Sequence, residues 1–173
     1  VNAATPEEKE TDILQMFQQK GVPITTGTPG QVWSDGPEIE WKWLHPGKTT
    51  LRGNDASVVL QLTAYNKTVL FTGDVEKDGE AVLVQNGLTP VDVLKVAHHG
   101  SKSSSTDELL AAVSPEAAVI SVGVNNRYGH PASEVLHRLE SRGAAVYRTD
   151  QQGAVTLIIS SAGLIWKTQQ LDT

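Results

Sequence analysis

The sequence predicts an α/β protein in which a mixed β-sheet packs against flanking helices. Short apolar segments separated by turn signals occupy the first half of the chain, which is typical of antiparallel hairpins. In the second half, apolar strands alternate with helical patterns, which favours a mixed sheet with helices against it. The chain has 173 residues, of which 39% are hydrophobic. That is enough for one domain with its own core.

Four helices are predicted from capping residues and apolar periodicity. The first covers residues 5–20 and ends at Gly21. Thr5 is its predicted cap and Pro6 suits its first turn. Its apolar stripe consists of Ile13, Leu14, Met16 and Phe17. The other helices are expected at residues 76–85, 105–113 and 132–142.

Ten short strands are predicted, and turn residues join several of them into hairpins. The hairpin signals are Asp35-Gly36, Tyr65-Asn66-Lys67 and Ser161-Ala162-Gly163. A further turn is expected at residues 150–153. The strands are expected at residues 22–25, 31–33, 39–44, 58–62, 68–72, 91–97, 117–122, 145–148, 155–160 and 164–168.

Composition excludes several classes of protein. Cysteine is absent, so a metal would need His, Asp, Glu, Asn or backbone ligands. The net charge is -6 and no Lys/Arg cluster occurs, whereas proteins that bind duplex DNA electrostatically are usually basic. A nucleic-acid substrate would therefore be held locally, by a metal and a few cations. No apolar run is long enough to cross a bilayer and no signal peptide is evident, so we expect a soluble segment.

Asp74 follows an apolar strand in the motif Phe71-Thr72-Gly73-Asp74, where glycine allows a tight turn. A carboxylate at such a turn can bind a metal. The alternative is that Asp74 caps the helix predicted at residues 76–85, and the motif alone leaves both interpretations open. Glu76 is expected to be a solvated glutamate in the first turn of that helix, and the alternative is an acid that contacts a metal ligand.

The motif His98-His99-Gly100-Ser101 ends the strand predicted at residues 91–97. Neighbouring strands of a buried sheet end at one rim, so this pair and Asp74 are predicted to meet there. Successive side chains of an extended segment point in opposite directions. One histidine is therefore a predicted metal ligand, and the other faces substrate or packs. The alternative is a structural pair, which needs hydrogen-bond partners for two buried imidazoles.

A third polar segment, residues 125–131, follows the strand predicted at residues 117–122, where α/β folds place their sites. Arg127 is a candidate phosphate contact, and His130 a candidate proton carrier or orienting group. The alternative is a turn-rich loop in which His130 caps a neighbour. The remaining candidates are expected to be structural or solvated: His45, His137 and the sheet-face tryptophans Trp33, Trp41 and Trp43.

Together with Ser121-Val122-Gly123 and Tyr128-Gly129-His130-Pro131, these motifs resemble the metallo-β-lactamase superfamily. Within it they are similar to the extramembrane domain of the ComEC competence proteins, which carry DNA across the bacterial cytoplasmic membrane. The resemblance implies an αββα sandwich that binds a divalent metal (manganese, zinc or magnesium). It also implies that Asp74 is the bridging aspartate and that either His98 or His99 is the final histidine ligand.

The sequence departs from the family pattern in two places. Asn54 stands where many members have a histidine ligand, which favours an oxygen-rich or single-metal site. No histidine precedes His45, so the early histidine/aspartate cluster of the family is absent. Residues 1–173 are therefore predicted to be the C-terminal portion of one domain. Its shortened sheet is predicted to associate with the missing part or with a second copy.

The resemblance implies a metal-dependent nuclease or phosphodiesterase that acts in DNA uptake. Its implied partners are DNA and the membrane channel of the same protein. Two ligands are too few for tight metal binding, so the segment alone is expected to be inactive. The alternatives are a non-catalytic DNA- or partner-binding domain and a hydrolase of another phosphoester or lactone. The candidate residues are His98 and His130 for catalysis, Asp74, His99 and His98 for metal, and Ser101, Lys102, Arg127 and Asn54 for substrate.

Overall fold

The computed structural model describes residues 8–47 and 50–169. Seven strands form one sheet whose spatial order follows the chain, from β1 to β7. Strands β1 to β4 pair antiparallel, and β4 to β7 pair parallel, so the predicted mixed sheet is confirmed. The strands are β1 (Val32–Ser34), β2 (Ile39–His45), β3 (Val59–Ala64), β4 (Lys67–Phe71), β5 (Val93–Lys95), β6 (Ala117–Ile120) and β7 (Ala145–Arg148).

The helices are α1 (Glu8–Gln19), α2 (Lys77–Gln85), α3 (Asp107–Val113), α4 (Ser133–Ser141) and the single turn α5 (Thr149–Gln152). The helices α2, α3 and α4 contribute buried side chains to the main core on one face of this sheet. The core contains fully buried leucines from both the strands and the helices, among them Leu70, Leu94, Leu109 and Leu139. Each fully buried aliphatic side chain of this size contributes about 2 kcal/mol.

A separate hairpin packs on the other face of the sheet. It consists of β8 (Val155–Ser160) and β9 (Gly163–Thr168), which pair antiparallel as predicted. Trp166 of β9 stacks on Tyr147 of β7, with ring centroids 4.1 Å apart and an interplanar angle of 11°. The described residues therefore form three layers, with helices, the seven-stranded sheet and the hairpin in succession.

Several large apolar side chains of α1 and β1 are exposed. In α1, Ile13, Met16 and Phe17 are 50%, 47% and 40% exposed. Trp33 is 40% exposed and stacks on Trp41 with a centroid separation of 6.2 Å. Trp33 lies on β1, and Trp41 and Trp43 lie on β2, as predicted for sheet-face residues. The proposed start of the first helix, at Thr5 and Pro6, lies outside the described residues.

Three predicted segments differ from the structure. Residues 22–25 form no strand, because they join no ladder with any strand in the described part of the chain. The strand predicted at residues 91–97 is confined to β5, because the backbone turns at Ala97–Gly100 into a 3-10 turn. The turn predicted at residues 150–153 closes as the one-turn helix α5. Among the described helices, none is long and apolar enough to cross a membrane.

Candidate functional site

The candidate site lies at the carboxyl ends of three neighbouring strands. Asp74 follows β4, the histidine pair follows β5, and the loop at residues 121–131 follows β6. These strands pair in parallel register, so their ends lie side by side at one rim of the sheet. The topology therefore brings together the three polar segments that the sequence singled out, and open α/β sheets bind ligands at this edge.

The histidine pair has an unusual backbone. His98 and His99 have φ values of 47° and 55°, in the left-handed region. Each such residue costs about 1–2 kcal/mol relative to ordinary backbone. The prediction of an extended segment is therefore wrong, because the chain reverses here. Gly100, with φ of 82°, completes the turn, and a Cβ there would lie 2.6 Å from Pro131 Cβ.

His99 is oriented by a backbone carbonyl and faces Asp74. Its Nδ1 lies 2.6 Å from the carbonyl oxygen of Ser121, so Nδ1–H is the donor. In the neutral ring the lone pair is then on Nε2, which lies 3.9 Å from Asp74 Oδ1. Side chains of both residues are about half exposed, at 49% and 47%. Two donors that each lie about 2.1 Å from one ion can be separated by up to about 4 Å, so the spacing is compatible with one shared metal.

The loop that presents Ser121 is itself anchored to α5. The Thr149 hydroxyl accepts a hydrogen bond from Val122 N at 2.7 Å and donates to Val122 O at 2.8 Å. This places the neighbouring Ser121 carbonyl over His99. A carbonyl that fixes the tautomer of a histidine in this way is the usual outer partner of a metal-binding imidazole.

Asp74 does not cap α2, so that alternative prediction is wrong. The helix begins after Glu76, and it is the Asp55 carboxylate that accepts from Glu76 N at 3.2 Å and from Gly79 N at 2.8 Å. The Asp74 main chain is held by Ser57, whose hydroxyl accepts from Asp74 N at 3.2 Å. The Asp74 carboxylate is consequently left open toward His99.

His98 makes a different set of contacts. Its Nδ1 lies 3.0 Å from Glu76 Oε1, and this carboxylate oxygen also accepts from the Ser103 hydroxyl at 2.9 Å. Asn54 Nδ2 lies 3.4 Å from the same oxygen and 3.5 Å from His98 Nδ1. Glu76 thus contacts a histidine of the candidate site, as the alternative interpretation predicts, and the prediction of a solvated glutamate is wrong. Hydrogen bonds from Ser103, Asn54 and His98 lower the pKa of Glu76.

Neither histidine of the pair lies in the core. The His98 side chain is 24% exposed and that of His99 is 49% exposed. The alternative of a structural core pair is therefore wrong. Elsewhere the structural predictions are confirmed. His45 is 1% exposed and its Nε2 lies 2.8 Å from Asp55 O, and His137 is exposed on α4.

The serine-rich segment after the histidines is mainly structural. Ser101 is 7% exposed, and its hydroxyl lies 2.9 Å from that of Ser103. The buried Ser104 hydroxyl contacts Ala97 O at 3.0 Å and Ser101 O at 2.9 Å. Lys102 is exposed at the tip of the turn. Of the two predicted anion contacts in this segment, Lys102 is therefore the accessible one.

A buried carboxylate beneath this segment escaped the sequence analysis. Glu80 on α2 is 0% exposed and accepts hydrogen bonds from Ser105 N, Thr106 N and Thr106 Oγ1 at 2.5, 2.8 and 2.7 Å. Arg138 on α4 donates to the carbonyls of Ser104 and Ser105. Burial raises the pKa of Glu80, and the hydrogen bonds from Thr106 and Ser105 act in the opposite direction. A helix-forming glutamate gives no sequence signal for this role.

The loop after β6 places His130 against His98. Their ring centroids are 5.7 Å apart, and Tyr128 stacks on His130 with centroids 5.9 Å apart and an interplanar angle of 17°. Burial lowers the pKa of the His130 imidazole, and the neighbouring histidines lower it further. Arg127 is exposed, and its Nη2 donates to the Tyr128 hydroxyl at 2.9 Å. The rings of three histidines thus line one rim.

Within residues 8–47 and 50–169, no three His, Cys, Asp or Glu side chains converge on a point where they could hold a metal ion. Asp74 and His99 are the carboxylate and imidazole that face each other with compatible geometry. Their donor atoms are a carboxylate oxygen and an imidazole nitrogen, the types of atom that divalent metals bind.

Comparison with known proteins identifies the family. Residues 7–124 match the family model described as the metallo-beta-lactamase superfamily. The chain belongs to that superfamily. Its fold resembles a protein named as a metal-dependent hydrolase from Parabacteroides distasonis ATCC 8503, with a TM-score of 0.52, 16% identity and coverage of 78% of this chain and 61% of that one.

Curated relatives share much higher identity. The chain is 37% identical over 152 residues to "ComE operon protein 3" of Bacillus subtilis (strain 168), which covers 86% of this chain and 19% of that protein. It is 37% identical over 136 residues to "Competence protein ComA" of Neisseria gonorrhoeae, with 77% and 19% coverage. The chain therefore spans about a fifth of the length of these relatives.

Proposed function

We propose that this member of the metallo-β-lactamase superfamily contributes part of a metal-dependent phosphodiesterase site to a bacterial DNA-uptake protein. The observation that supports it best is the facing pair of His99 Nε2 and Asp74 Oδ1, 3.9 Å apart, with His99 Nδ1 held by a carbonyl. The competence names of the relatives favour DNA as the substrate class. The proposed location is an extramembrane part of a cytoplasmic-membrane protein.

Asp74 and His99 are the proposed ligands. We choose His99 because its Nε2 faces Asp74 Oδ1 at 3.9 Å, whereas the His98 ring contacts Glu76 and His130. Carboxylate donors suit manganese and magnesium, and imidazole donors suit zinc, so all three metals are candidates. When bound, such a metal would lower the pKa of water and stabilise charge on a phosphoryl group.

The remaining residues have roles in proton transfer and substrate positioning. Glu76 orients His98 through Nδ1, which leaves His98 Nε2 free to accept or donate a proton. Arg127 and Lys102 are exposed and are the proposed phosphate contacts. Asn54 Nδ2 lies near both Glu76 Oε1 and His98 Nδ1 and is proposed to hold them in place.

Two ligands bind a metal weakly, so the complete site needs further donors from beyond the described residues. We propose that other segments of the DNA-uptake protein, including the part that precedes this segment in related domains, supply them. The exposed apolar side chains of α1 and β1 offer a surface for that association or for a second copy of the chain.

A metal titration tests the assignment of ligands. Manganese, zinc and magnesium are titrated calorimetrically into the 173-residue chain and into a full-length competence protein that contains this segment. We expect Asp74→Ala and His99→Ala to weaken binding at least tenfold and to abolish metal-dependent cleavage of DNA. The control is His137→Ala, which removes an exposed histidine from α4.

The variant His98→Ala separates the two histidines. It should retain metal affinity and lose cleavage, because His98 is proposed to carry protons and not to bind metal. Loss of affinity in His98→Ala with retention in His99→Ala would reverse the assignment. Equal cleavage by the wild type, Asp74→Ala and His99→Ala would remove both residues from the mechanism.

A second candidate function is non-catalytic binding of DNA or a partner. The absence of a third ligand among the described residues and the asparagine at position 54 favour it. It predicts DNA binding that is unaffected by Asp74→Ala, with no metal binding and no rise in melting temperature when manganese or zinc is added. Cleavage of a non-nucleotide phosphoester or lactone instead of DNA would identify a hydrolase of different specificity.

A further inference from the structure

The loop after β6 presents an aromatic side chain that the metal site does not use. Tyr128 is 67% exposed, more than any other large hydrophobic side chain in the described part of the chain. One isolated exposed aromatic needs no explanation. Tyr128 is not isolated, however, because its ring is stacked nearly parallel on His130, with an interplanar angle of 17°.

Tyr128 also lines a cleft that leads to the proposed metal ligand. The cleft has a volume of about 200 Å³. Its lining residues are His99, Val122, Gly123, Asn126, Tyr128 and His130. A planar group placed on the tyrosine would therefore lie beside the histidine whose Nε2 faces Asp74.

The loop is organised before any ligand binds. Asn126 Oδ1 accepts from Tyr128 N at 3.2 Å and from His130 N at 3.0 Å. Asn126 Nδ2 donates to Gly123 O at 3.2 Å and to His130 O at 2.7 Å. The Asn126 side chain thus makes four hydrogen bonds within the loop and fixes its conformation. A loop that is ordered in advance loses little conformational entropy when a ligand binds.

The positively charged Arg127 side chain contacts the Tyr128 ring. The Arg127 guanidinium carbon lies 5.1 Å from the Tyr128 ring centroid, and Nη2 donates to the tyrosine hydroxyl at 2.9 Å. An exposed aromatic ring beside a positive charge matches two features of a nucleotide, the π-face of the base and the phosphate. Single-strand binding sites combine these features, whereas a duplex hides the faces of its bases.

We propose that Tyr128, supported by His130, is a stacking platform for one base of single-stranded nucleic acid, with Arg127 on the adjacent phosphate. The placement of that phosphate beside His99 depends on the function proposed above, whereas the stacking itself does not. The inference specifies the substrate as a single strand and assigns Tyr128 to substrate positioning.

The test measures binding without catalysis. Fluorescence anisotropy is recorded in EDTA at low salt with a labelled oligo(dT), an abasic oligonucleotide of equal length and a blunt duplex. The wild type should prefer oligo(dT) over the abasic strand by about tenfold, since one base stacked on an aromatic ring contributes about 1–3 kcal/mol. Tyr128→Ala should remove this preference and leave abasic and duplex binding unchanged, and Tyr128→Trp should keep it.

The matched control is Tyr65→Asn in the turn between β3 and β4. Tyr65 is 40% exposed and has a left-handed φ of 48°, which asparagine tolerates. It lies at the opposite end of β4 from Asp74, so the preference should survive in this variant. The proposal is wrong if the wild type shows no preference up to millimolar concentration, if Tyr128→Ala keeps it, or if Tyr65→Asn loses it.

The test also distinguishes this proposal from the metal site. Tyr128→Ala should give the same calorimetric metal isotherm as the wild type, because Tyr128 contacts neither Asp74 nor Ser121. If the metal-ligand variants change nothing while Tyr128→Ala loses its preference, the stacking platform stands and the phosphodiesterase fails. If the metal-ligand variants lose metal binding and cleavage while Tyr128→Ala keeps its preference for oligo(dT), the stacking proposal is wrong and the phosphodiesterase proposal stands.

Discussion

The two ends of the central strands carry aspartates with opposite environments. Asp92, just before β5, accepts from Lys67 Nζ at 2.6 Å, from Thr68 N at 2.7 Å and from Thr68 Oγ1 at 3.0 Å. Asp74, just after β4, receives no hydrogen bond on its carboxylate from any described residue and faces His99 Nε2 at 3.9 Å. A carboxylate saturated with donors stabilises the fold, whereas an open one beside an imidazole is available to a ligand.

The backbone shows the same contrast. Asp92 joins β4 to β5 through regular contacts, with Asp92 N donating to Thr68 O at 3.1 Å. At the other end, His98 and His99 are both left-handed. Strain of this kind persists where the surroundings over-determine it and clusters at ligand sites. The buried Glu80, saturated like Asp92, supplies part of that support through Ser105 and Thr106.

The largest expected effect is on catalysis by the open carboxylate. If Asp74 is a metal ligand as proposed, Asp74→Asn should lower metal-dependent cleavage by the full-length protein about 1000-fold, equivalent to about 4 kcal/mol of barrier. The free energy of unfolding of the chain, measured by urea denaturation, should change by less than about 0.5 kcal/mol. A large loss of stability would show that Asp74 stabilises the fold as Asp92 does, and the distinction between the two aspartates would be wrong.

The next largest effect concerns the buried carboxylate under the histidine turn. Glu80→Ala should lower the free energy of unfolding by about 3 kcal/mol, because it leaves the buried donors of Ser105 and Thr106 unpaired. Urea denaturation measures the loss. Asp78→Ala, an exposed change on the same helix, is the control and should be nearly neutral. Equal stability of the two variants would show that Glu80 does not support the turn.

A smaller effect is expected at the saturated end of the strands. Asp92→Asn should lower the free energy of unfolding by about 2 kcal/mol, because it weakens charge-assisted hydrogen bonds from Lys67 and Thr68. Metal binding should be unchanged, which the same calorimetric titration checks. A change in metal affinity would couple the two ends of the sheet and remove the distinction between them.

The pH dependence of stability also tests the role of Asp92. Burial raises the pKa of Asp92, but hydrogen bonds from Lys67 and Thr68 outweigh it and the folded-state pKa is lowered. This contribution is present above the unfolded pKa of about 3.9 and is lost as pH falls through the lowered folded value. Urea denaturation between pH 6 and pH 3 should therefore show a shallower acid loss in Asp92→Asn than in the wild type. Identical slopes would contradict the lowered pKa.

Sequence patterns predicted the elements well wherever local chemistry determines them. The predicted bounds of β7 and β8 coincide with the observed ones, and the turns at Asp35-Gly36 and Tyr65-Asn66 are confirmed. Both residues of the second turn have positive φ, as the hairpin requires. The strand predicted at residues 22–25 failed because strand formation needs a partner, and local composition contains no information about one.

The sequence predicted which segments form the candidate site, but it did not predict the hydrogen bonds between their side chains. Asp74, His99 and His130 were all named as candidates, and strand order brings their segments to one rim. The role of Asp55 was missed and solvation was preferred for Glu76, because their partners lie about twenty residues away in the sequence. A glutamate in a first helical turn looks the same whether it is solvated or holds a histidine.

The family, the mixed α/β architecture and the three polar segments that follow the central strands could all be predicted from the sequence alone. These follow from residue order, turn chemistry and hydrophobic patterning, which act over a few residues. Tertiary structure decided which histidine faces Asp74, because the left-handed turn at residues 98–99 and the carbonyl of Ser121 set the ring orientation. It also separated the open carboxylate from the saturated ones, because hydrogen-bond donors come from segments that meet only in the folded chain.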